Sequence, residues 1–197
     1  MPKRRVNDNR SAQVLTQILK FKNKNMKKSF LILSTVAMLF FAQTTKAQQS
    51  KDIVDIAVSV DDFSTLVTAL KAADLVGALK GDGPFTVFAP VNSGFDKIDA
   101  KTLNALLQPE NKEKLSSILT YHVVSGKIAA ADVASALKQG GGKAELTTLN
   151  GGKVTAMSKN GGIYLKDANG NYSKIAKTDV MASNGVIHII EDVVMPK

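Results

Sequence analysis

The stretch of sequence that decides the fold is residues 85–95, FTVFAPVNSGF. Its first five residues are mostly aromatic or β-branched and Pro90 closes the run, which predicts a short buried strand. Asn92 or Ser93 can then cap a helical turn that carries Phe95. The stretch therefore predicts a strand that ends abruptly and leads directly into a helix.

The chain changes its hydrophobic period on the two sides of this stretch. From about residue 52, apolar residues recur at helical spacing, as in Phe63, Leu66 and Leu70. After the triple glycine at 140–142, apolar and polar residues alternate instead. Asn-Gly pairs at 150–151, 160–161 and 169–170 separate the alternating runs, a strong β-hairpin signal. Helices early and hairpins late predict an α+β domain whose sheet is assembled from both halves.

Three further segments are predicted as strands. Residues 121–124, YHVV, are β-prone and are stopped by Ser125-Gly126. Residues 186–194 alternate near the end of the chain, and residues 172–175 form a shorter alternating run before them.

The positive charge of the chain is concentrated in its first residues. The net charge is +9, but residues 1–47 hold ten Lys and Arg residues against the single acid Asp8. Residues 48–197 are left with sixteen basic and sixteen acidic residues. A duplex-binding surface needs clustered positive charge to displace counterions from phosphates. This neutral balance argues against a nucleic-acid-binding protein.

Residues 26–47 have the three parts of a secretory signal peptide. A positive start, Met26-Lys27-Lys28, precedes about a dozen apolar residues, and small residues stand at Thr45 and Ala47. We expect cleavage between Ala47 and Gln48. The alternative is a membrane anchor, but the apolar run falls short of the roughly 20 residues that span a bilayer.

This leader implies the organisation of the whole chain. Residues 1–25 are expected to be a non-native extension upstream of the true start at Met26, and residues 48–197 a single domain. The domain is expected to be secreted, periplasmic or at the cell surface. The absence of cysteine is compatible with an oxidising compartment.

No catalytic or metal-binding constellation stands out. The chain has two histidines and no cysteine, whereas a zinc site usually takes three or four such ligands. No serine lies in a Gly-x-Ser-x-Gly elbow, and no Gly-Lys-Ser/Thr phosphate loop is present. Residues 167–171, DANGN, are superficially similar to a calcium loop, but their glycine comes at position four, which favours a hairpin turn. We therefore expect no enzyme, cofactor or metal.

Three stretches resemble motifs of the fasciclin-type (FAS1) domains. Residues 85–95 are similar to the first signature, TVFAPTN-x-AF, with Val91 and Gly94 as departures. Residues 184–196, NGVIHIIEDVVMP, are similar to the second signature, NGVIH-x-ID-x-VL-x-P. Residues 119–126, LTYHVVSG, resemble the Tyr-His segment of the family. The residues that carry the two signatures here are Thr86, Phe88, Pro90, Asn92, Phe95, Asn184, Gly185 and His188.

The resemblance runs from about Lys51 to Pro196, with the motifs in the order of the family. It implies a FAS1 fold, which is a wedge-shaped β-sandwich of about seven strands flanked by several short α-helices. In that fold the terminal apolar strand is expected to lie alongside residues 85–89 in a shared interior.

The resemblance also suggests candidate binding residues. Tyr121 and His122 lie in the Tyr-His segment, which in related domains is associated with adhesion. The alternative is that both side chains pack in the core. Asp179 and Val180 stand where related domains carry an Asp-Ile pair implicated in integrin adhesion, although Val180 can simply pack. His188 alternates with apolar residues of its strand and is expected to be a core histidine.

The hairpins add two candidates of another kind. Aromatic faces often cover the C–H surface of sugars, so Tyr164 and Tyr172 are candidates for sugar stacking or ordinary residues of the sheet.

The resemblance implies a non-enzymatic adhesion module that binds an extracellular or cell-surface polysaccharide or protein. We expect a monomer, no nucleic-acid partner because of the neutral charge of residues 48–197, and membrane contact only through the cleaved signal peptide. The alternative is a periplasmic carrier of a small apolar ligand or haem, which needs an apolar pocket of roughly 300 Å³ or more. A hydrolase is disfavoured because no nucleophile–base–orienter set can be assembled.

Overall fold

The computed structural model describes residues 51–197; the expected extension, signal peptide and cleavage point lie outside them. The helices are α1 (Ile53–Val58), α2 (Ser64–Ala72), α3 (Val76–Leu79), α4 (Asn92–Phe95), α5 (Ala100–Leu106), α6 (Lys112–Tyr121) and α7 (Ala130–Gln139), with 3₁₀ turns at Asp61–Phe63 and Pro109–Asn111. The strands are β1 (Phe85–Pro90), β2 (Val123–Ser125), β3 (Lys143–Thr147), β4 (Lys153–Lys159), β5 (Gly162–Lys166), β6 (Tyr172–Ala182) and β7 (Gly185–Ile190). None of the helices in this part of the chain is long and apolar enough to cross a membrane.

The seven strands form one strongly curved sheet in the order β2-β1-β7-β6-β5-β4-β3. Its two edges approach each other, because Val124 bridges to Thr148 and the Leu149 amide donates to the Val123 carbonyl at 2.8 Å. The sheet is thus a nearly closed, barrel-like sandwich with helices packed outside. This confirms the predicted α+β class and the seven-stranded FAS1 sandwich.

The first and last strands are parallel neighbours, as expected. Their register runs from Phe85 opposite Gly185 to Pro90 opposite Ile190. Nearly every residue of β1 and β7 is buried, since both faces of this part of the sheet are covered. Near-continuous apolar runs are typical of parallel strands covered on both sides.

Gly185 is required for the close approach of these two strands. A Cβ atom built on Gly185 would lie 2.0 Å from the Phe85 carbonyl oxygen, which no packing adjustment accommodates. The glycine of the second signature therefore sets the point at which β7 meets β1.

Two apolar clusters cover the two faces of the β1–β7 pair. One lies between the helices and the sheet and includes Val87, Ala89 and Ile187. The other fills the interior of the sandwich and includes Phe88 and Ile190. Alternate residues of each strand enter alternate clusters, as the pleat dictates. The signature strands thus join both cores.

The Asn-Gly hairpins form where they were predicted. Asn150-Gly151 lies in the turn between β3 and β4, and Asn169-Gly170 in the turn between β5 and β6. Asn160 and Gly161 connect β4 to β5 with φ of 51° and 75°. Positive φ at both central residues matches the twist of the flanking strands.

Three strand predictions are wrong in their bounds. The strand predicted at residues 172–175 is only the start of β6, which continues to Ala182 through register shifts against β7. Tyr121 is the last residue of α6 and His122 its C-cap, so β2 begins only at Val123. The apolar face of α6 continues to Tyr121, and this packing overrides the β propensity of residues 121–124. The terminal strand ends at Ile190 rather than 194, because its partner β1 ends at Pro90.

Asn92 caps a helix other than its own. Its side-chain oxygen accepts from the Thr65 amide at 3.0 Å in the first turn of α2, while α4 has no side-chain cap. The Asn92 amide group also donates to the Asp61 carbonyl at 3.0 Å. The prediction that Asn92 or Ser93 caps α4 is therefore wrong, because Asn92 is used across the fold to fasten α2.

Asn184 fastens the turn before β7 to two helices. Its side-chain oxygen accepts from the Ile53 amide at 3.0 Å, at the start of α1. Its amide group donates to the carbonyls of Leu79 at 2.8 Å and Gly81 at 3.0 Å, at the end of α3. One signature side chain thus joins the start of α1 and the end of α3 to the turn before β7.

We expect Asn184→Ala to lower the free energy of unfolding by about 2–4 kcal/mol, because three partly buried hydrogen bonds are lost and their partners stay unpaired. Urea denaturation measures the change. The matched control is Asn104→Ala on the exposed side of α5, which should change stability by no more than about 0.5 kcal/mol. Equal effects of the two substitutions would contradict the role of Asn184.

Candidate functional site

Tyr121 is wholly buried where α6 ends. Its hydroxyl donates to the Lys153 carbonyl at 2.6 Å and accepts from the Ala168 amide at 3.1 Å. The ring therefore ties the helix to two hairpins of the sandwich. At 0% exposure it offers no surface to a partner in this structure.

His122 is also buried, with 3% of its surface exposed. Its Nδ1 donates to the Ile118 carbonyl at 2.8 Å, and its Nε2 accepts from the Val194 amide at 3.1 Å. These contacts fix one neutral tautomer and hold the carboxyl-terminal segment against α6. Burial lowers the pKa of His122 from 6.5 to about 4, and the hydrogen bond to Ile118 opposes this shift in part.

Thr86 on β1 and His188 on the neighbouring strand β7 both hydrogen-bond to Ile128, in the loop between β2 and α7. The Thr86 hydroxyl accepts from the Ile128 amide at 2.8 Å and donates to the Gly126 carbonyl at 2.7 Å. The His188 Nε2 donates to the Ile128 carbonyl at 2.8 Å. Both backbone groups of Ile128 are therefore satisfied by signature side chains.

His188 is the core histidine that its alternation predicted. Its ring stacks on Phe88, with centroids 5.6 Å apart and planes inclined by 27°. The Asp179 amide donates to its Nδ1 at 3.3 Å, so both ring nitrogens are used within the fold. The imidazole thus connects β6, β7 and the loop 126–130.

Asp179 lies in an irregularity of β6 and caps α7. The register with β7 shifts between Lys177 and Val180, and Asp179 adopts a left-handed φ of 59°. Its carboxylate accepts from the Ala130 amide at 2.8 Å, at the first residue of α7. A carboxylate at this position also complements the positive end of the helix dipole.

The remaining candidates lie nearer to the surface. Val180 is half-buried and packs against the cluster on the helix side, whereas Met181 beside it is 52% exposed. Tyr164 is half-buried on β5, and Tyr172 on β6 is 43% exposed. The structure therefore brings Asp179 together with His188, and leaves the tyrosines of the hairpins on a different part of the molecule.

The two histidines are not available for chemistry in this arrangement, because backbone groups occupy both nitrogens of each ring. Within residues 51–197, no three His, Asp or Glu side chains cluster as metal ligands. Glu191 and Asp192 do not act as a pair either, since Glu191 lies 3.7 Å from Lys174 and Asp192 pairs with Lys97.

An apolar cavity lies between the helices and the sheet. It is lined by Ile53, Leu66, Leu119, His122 and Ile187 among others, and its volume is about 20 Å³. That is room for one water molecule, far below the size of a small-molecule pocket. An open depression on α6, of about 520 Å³, is lined by polar residues such as Lys112, Ser116 and Thr120. Neither feature suits the predicted alternative, an apolar ligand or haem.

Asp167 has a role that the local pattern did not reveal. Its carboxylate accepts from the Asn169 and Asn171 amides at 2.9 and 2.8 Å, which makes the 167–171 segment a hairpin turn as predicted. It also accepts from the distant Met195 amide at 3.1 Å. Together with His122, it fastens the end of the chain to the sandwich. The sequence predicted only the hairpin turn and not this contact with a distant segment.

We expect the free energy of unfolding to fall as the pH is lowered from about 6.5 to about 4. In this range His122 takes up a proton in the unfolded chain, whereas burial keeps it neutral in the folded chain. The loss attributable to this residue is about 3 kcal/mol in full. Urea denaturation at several pH values measures it.

The control variant is His122→Gln, whose free energy of unfolding should depend less on pH between about 6.5 and about 4. The surface carboxylates titrate in both proteins, so their contribution cancels in the comparison. An identical pH dependence in the variant and the natural protein would contradict the assignment.

Comparison with known proteins agrees with this geometry. The family model of the Fasciclin domain matches residues 61–196. Protein sll1483 of Synechocystis sp. is 45% identical over 172 residues, which cover 83% of this chain and 88% of that protein. Transforming growth factor-beta-induced protein ig-h3 of Sus scrofa is 33% identical over 144 residues, which cover 73% of this chain and 19% of that protein.

A solved structure shows the same fold. The FAS1 domain pair from the insect cell adhesion molecule Fasciclin I matches with a TM-score of 0.64 and 19% identity. The match covers 73% of this chain and 50% of that chain. The sequence signatures, the parallel β1–β7 pair and these matches have one explanation: the chain belongs to the fasciclin (FAS1) domain family.

Proposed function

We propose that this protein is an exported, non-enzymatic adhesion module that binds an extracellular or cell-surface polysaccharide or protein. The observation that carries the proposal is the use of the signature side chains inside the fold. Thr86, His188 and Asn184 each bond to distant backbone groups, and Tyr121 and His122 are buried. These polar signature residues make their hydrogen bonds inside the fold, so the domain is a rigid scaffold. A partner is then bound by the outer surface of the domain.

Membership in the fasciclin family supports the adhesion role, since one solved member of known fold is a domain pair of an insect cell adhesion molecule. The leader at residues 26–47 supports export, with Gln48 as the first residue of the mature chain. The polar or small cavities described above do not favour a carrier of apolar ligands.

Asp179 is placed in this proposal as a helix cap. Its carboxylate is engaged by the Ala130 amide, and its left-handed φ is one that asparagine also tolerates. Asp179→Asn therefore keeps both the cap and the backbone while removing the charge.

The test is binding of the protein recovered from the periplasm or medium, with its first residue determined by mass spectrometry, to arrays of glycans and matrix proteins. We expect binding to at least one surface class, and loss of surface attachment when the gene is deleted. Asp179→Asn should bind within about twofold of the natural protein, because contacts outside a binding centre are nearly neutral.

Absence of binding on both arrays, combined with unchanged attachment of the deletion strain, would overturn the proposed function. A large loss of binding in a stably folded Asp179→Asn protein would instead return Asp179 to the binding site.

A further inference from the structure

The outer face of the β3–β6 hairpins is rich in lysine. Val154, Ala156 and Leu165 point into the sandwich and are 0% exposed, so the residues alternating with them point outward. The outward residues define what we call the lysine face. It carries Lys143, Lys153, Lys159, Lys166, Lys174, Tyr164 and Tyr172, together with one exposed acid, Glu145.

The lysine face concentrates charge that the domain as a whole conceals. Residues 143–177 contain six lysines, five of them on the lysine face, against Glu145 and Asp167. The rest of the 51–197 range contains ten lysines against fourteen acids. Asp167 is 5% exposed and bonded within its turn, so it contributes little to the surface. The net charge of residues 51–197 is therefore zero only because a basic face of the sheet is balanced by an acidic surface on the rest of the domain.

Part of this charge is not balanced locally. Lys153 pairs with Glu145 at 2.8 Å, and Lys174 lies 3.7 Å from Glu191. Among the ion pairs within residues 51–197, none involves Lys143, Lys159 or Lys166. Like charges gathered without counter-charges repel one another, and an anionic partner relieves that repulsion.

Tyr172 lies among these charges. The Nζ of Lys159 is 5.2 Å from the centroid of its ring and the Nζ of Lys166 is 6.0 Å from it. The ring is 43% exposed. The two ammonium groups lie over the ring, and a sugar whose acidic groups draw them away can stack its C–H face on the ring in their place.

We propose that the lysine face binds an acidic polysaccharide, a polymer of sugars that carry carboxylates. The proposal rests on the proposed function and names its surface and its class of partner. The repeating carboxylates of an extended polymer match the separate, flexible ammonium groups of this face by charge.

Two other anionic partners fit this face less well. Residues 51–197 contain no arginine, the residue that recognises phosphates with a planar fork, and only one exposed aromatic ring lies on the face for stacking bases. Of the exposed large apolar side chains in residues 51–197, only Tyr172 lies on the lysine face. Contact with a lipid membrane would therefore bury little apolar surface.

The experiment measures binding of the protein recovered from the periplasm or medium to immobilised polygalacturonate, with neutral dextran as the blank. We expect salt-sensitive binding that the triple substitution Lys159→Ala, Lys166→Ala and Tyr172→Ala weakens at least about tenfold. Tyr172→Phe keeps the ring and should retain binding. All variants are prepared in the same way and their first residue is determined, so any remaining part of the basic segment 1–47 contributes equally.

The matched control is Lys101→Ala with Lys114→Ala, which removes two exposed lysines from α5 and α6 and should change binding by less than about twofold. Equal losses in the control and the triple variant would overturn the proposal, because net charge alone would explain the binding. Face-dependent binding to a single-stranded oligonucleotide or to anionic vesicles, without binding to polygalacturonate, would also overturn it.

The failure of this inference is distinguishable from the failure of the proposed function. Binding to a matrix protein or a neutral glycan that the triple variant retains would overturn the lysine face and leave the adhesion role standing. No binding on any of the arrays would remove the adhesion role itself.

Discussion

The parallel pairing of β1 with β7 is the constraint on which the rest of the structure depends. Residues 85–90 lie opposite residues 185–190, although about a hundred residues separate them in the chain. Helices precede and follow β1, and hairpins precede β7, so this ladder joins the two halves. Both strands are covered on both faces, which shields their backbone hydrogen bonds from water.

The polar residues of this pair explain why it occurs in a single register. A buried polar group is costly unless it is hydrogen-bonded, and within residues 51–197 every buried side-chain nitrogen and oxygen has a partner. Thr86 and His188 bond to both backbone groups of Ile128. Asp179 bonds to the amide of Ala130, the first residue of α7. A shift of register would leave these groups unpaired. The residues that mark the family are therefore internal fasteners.

The sequence predicted those parts of the fold that local signals determine. Alternation and Asn-Gly pairs gave the hairpins, and the first and last apolar strands were identified with their resemblance to one family. The sequence did not predict where Tyr121 and His122 lie, because their β propensity competes with the end of α6. It also did not predict that Asn92 caps α2 or that Asn184 fastens α1, since those contacts span 27 and 131 residues. The lysine face was hidden for a related reason: a neutral sum reveals nothing about which side of a sheet each charge occupies.

The proposed recognition by the outer surface requires an interior that does not rearrange, and the β1–β7 ladder provides that interior. Native-state hydrogen exchange tests this claim most directly, because it measures the stability of each backbone amide separately. The account predicts that the amides of residues 86–89 and 186–190 exchange only through global unfolding, with the highest protection in the domain. Exchange of these amides at lower free energy than those of residues 154–165 in the hairpins would contradict it.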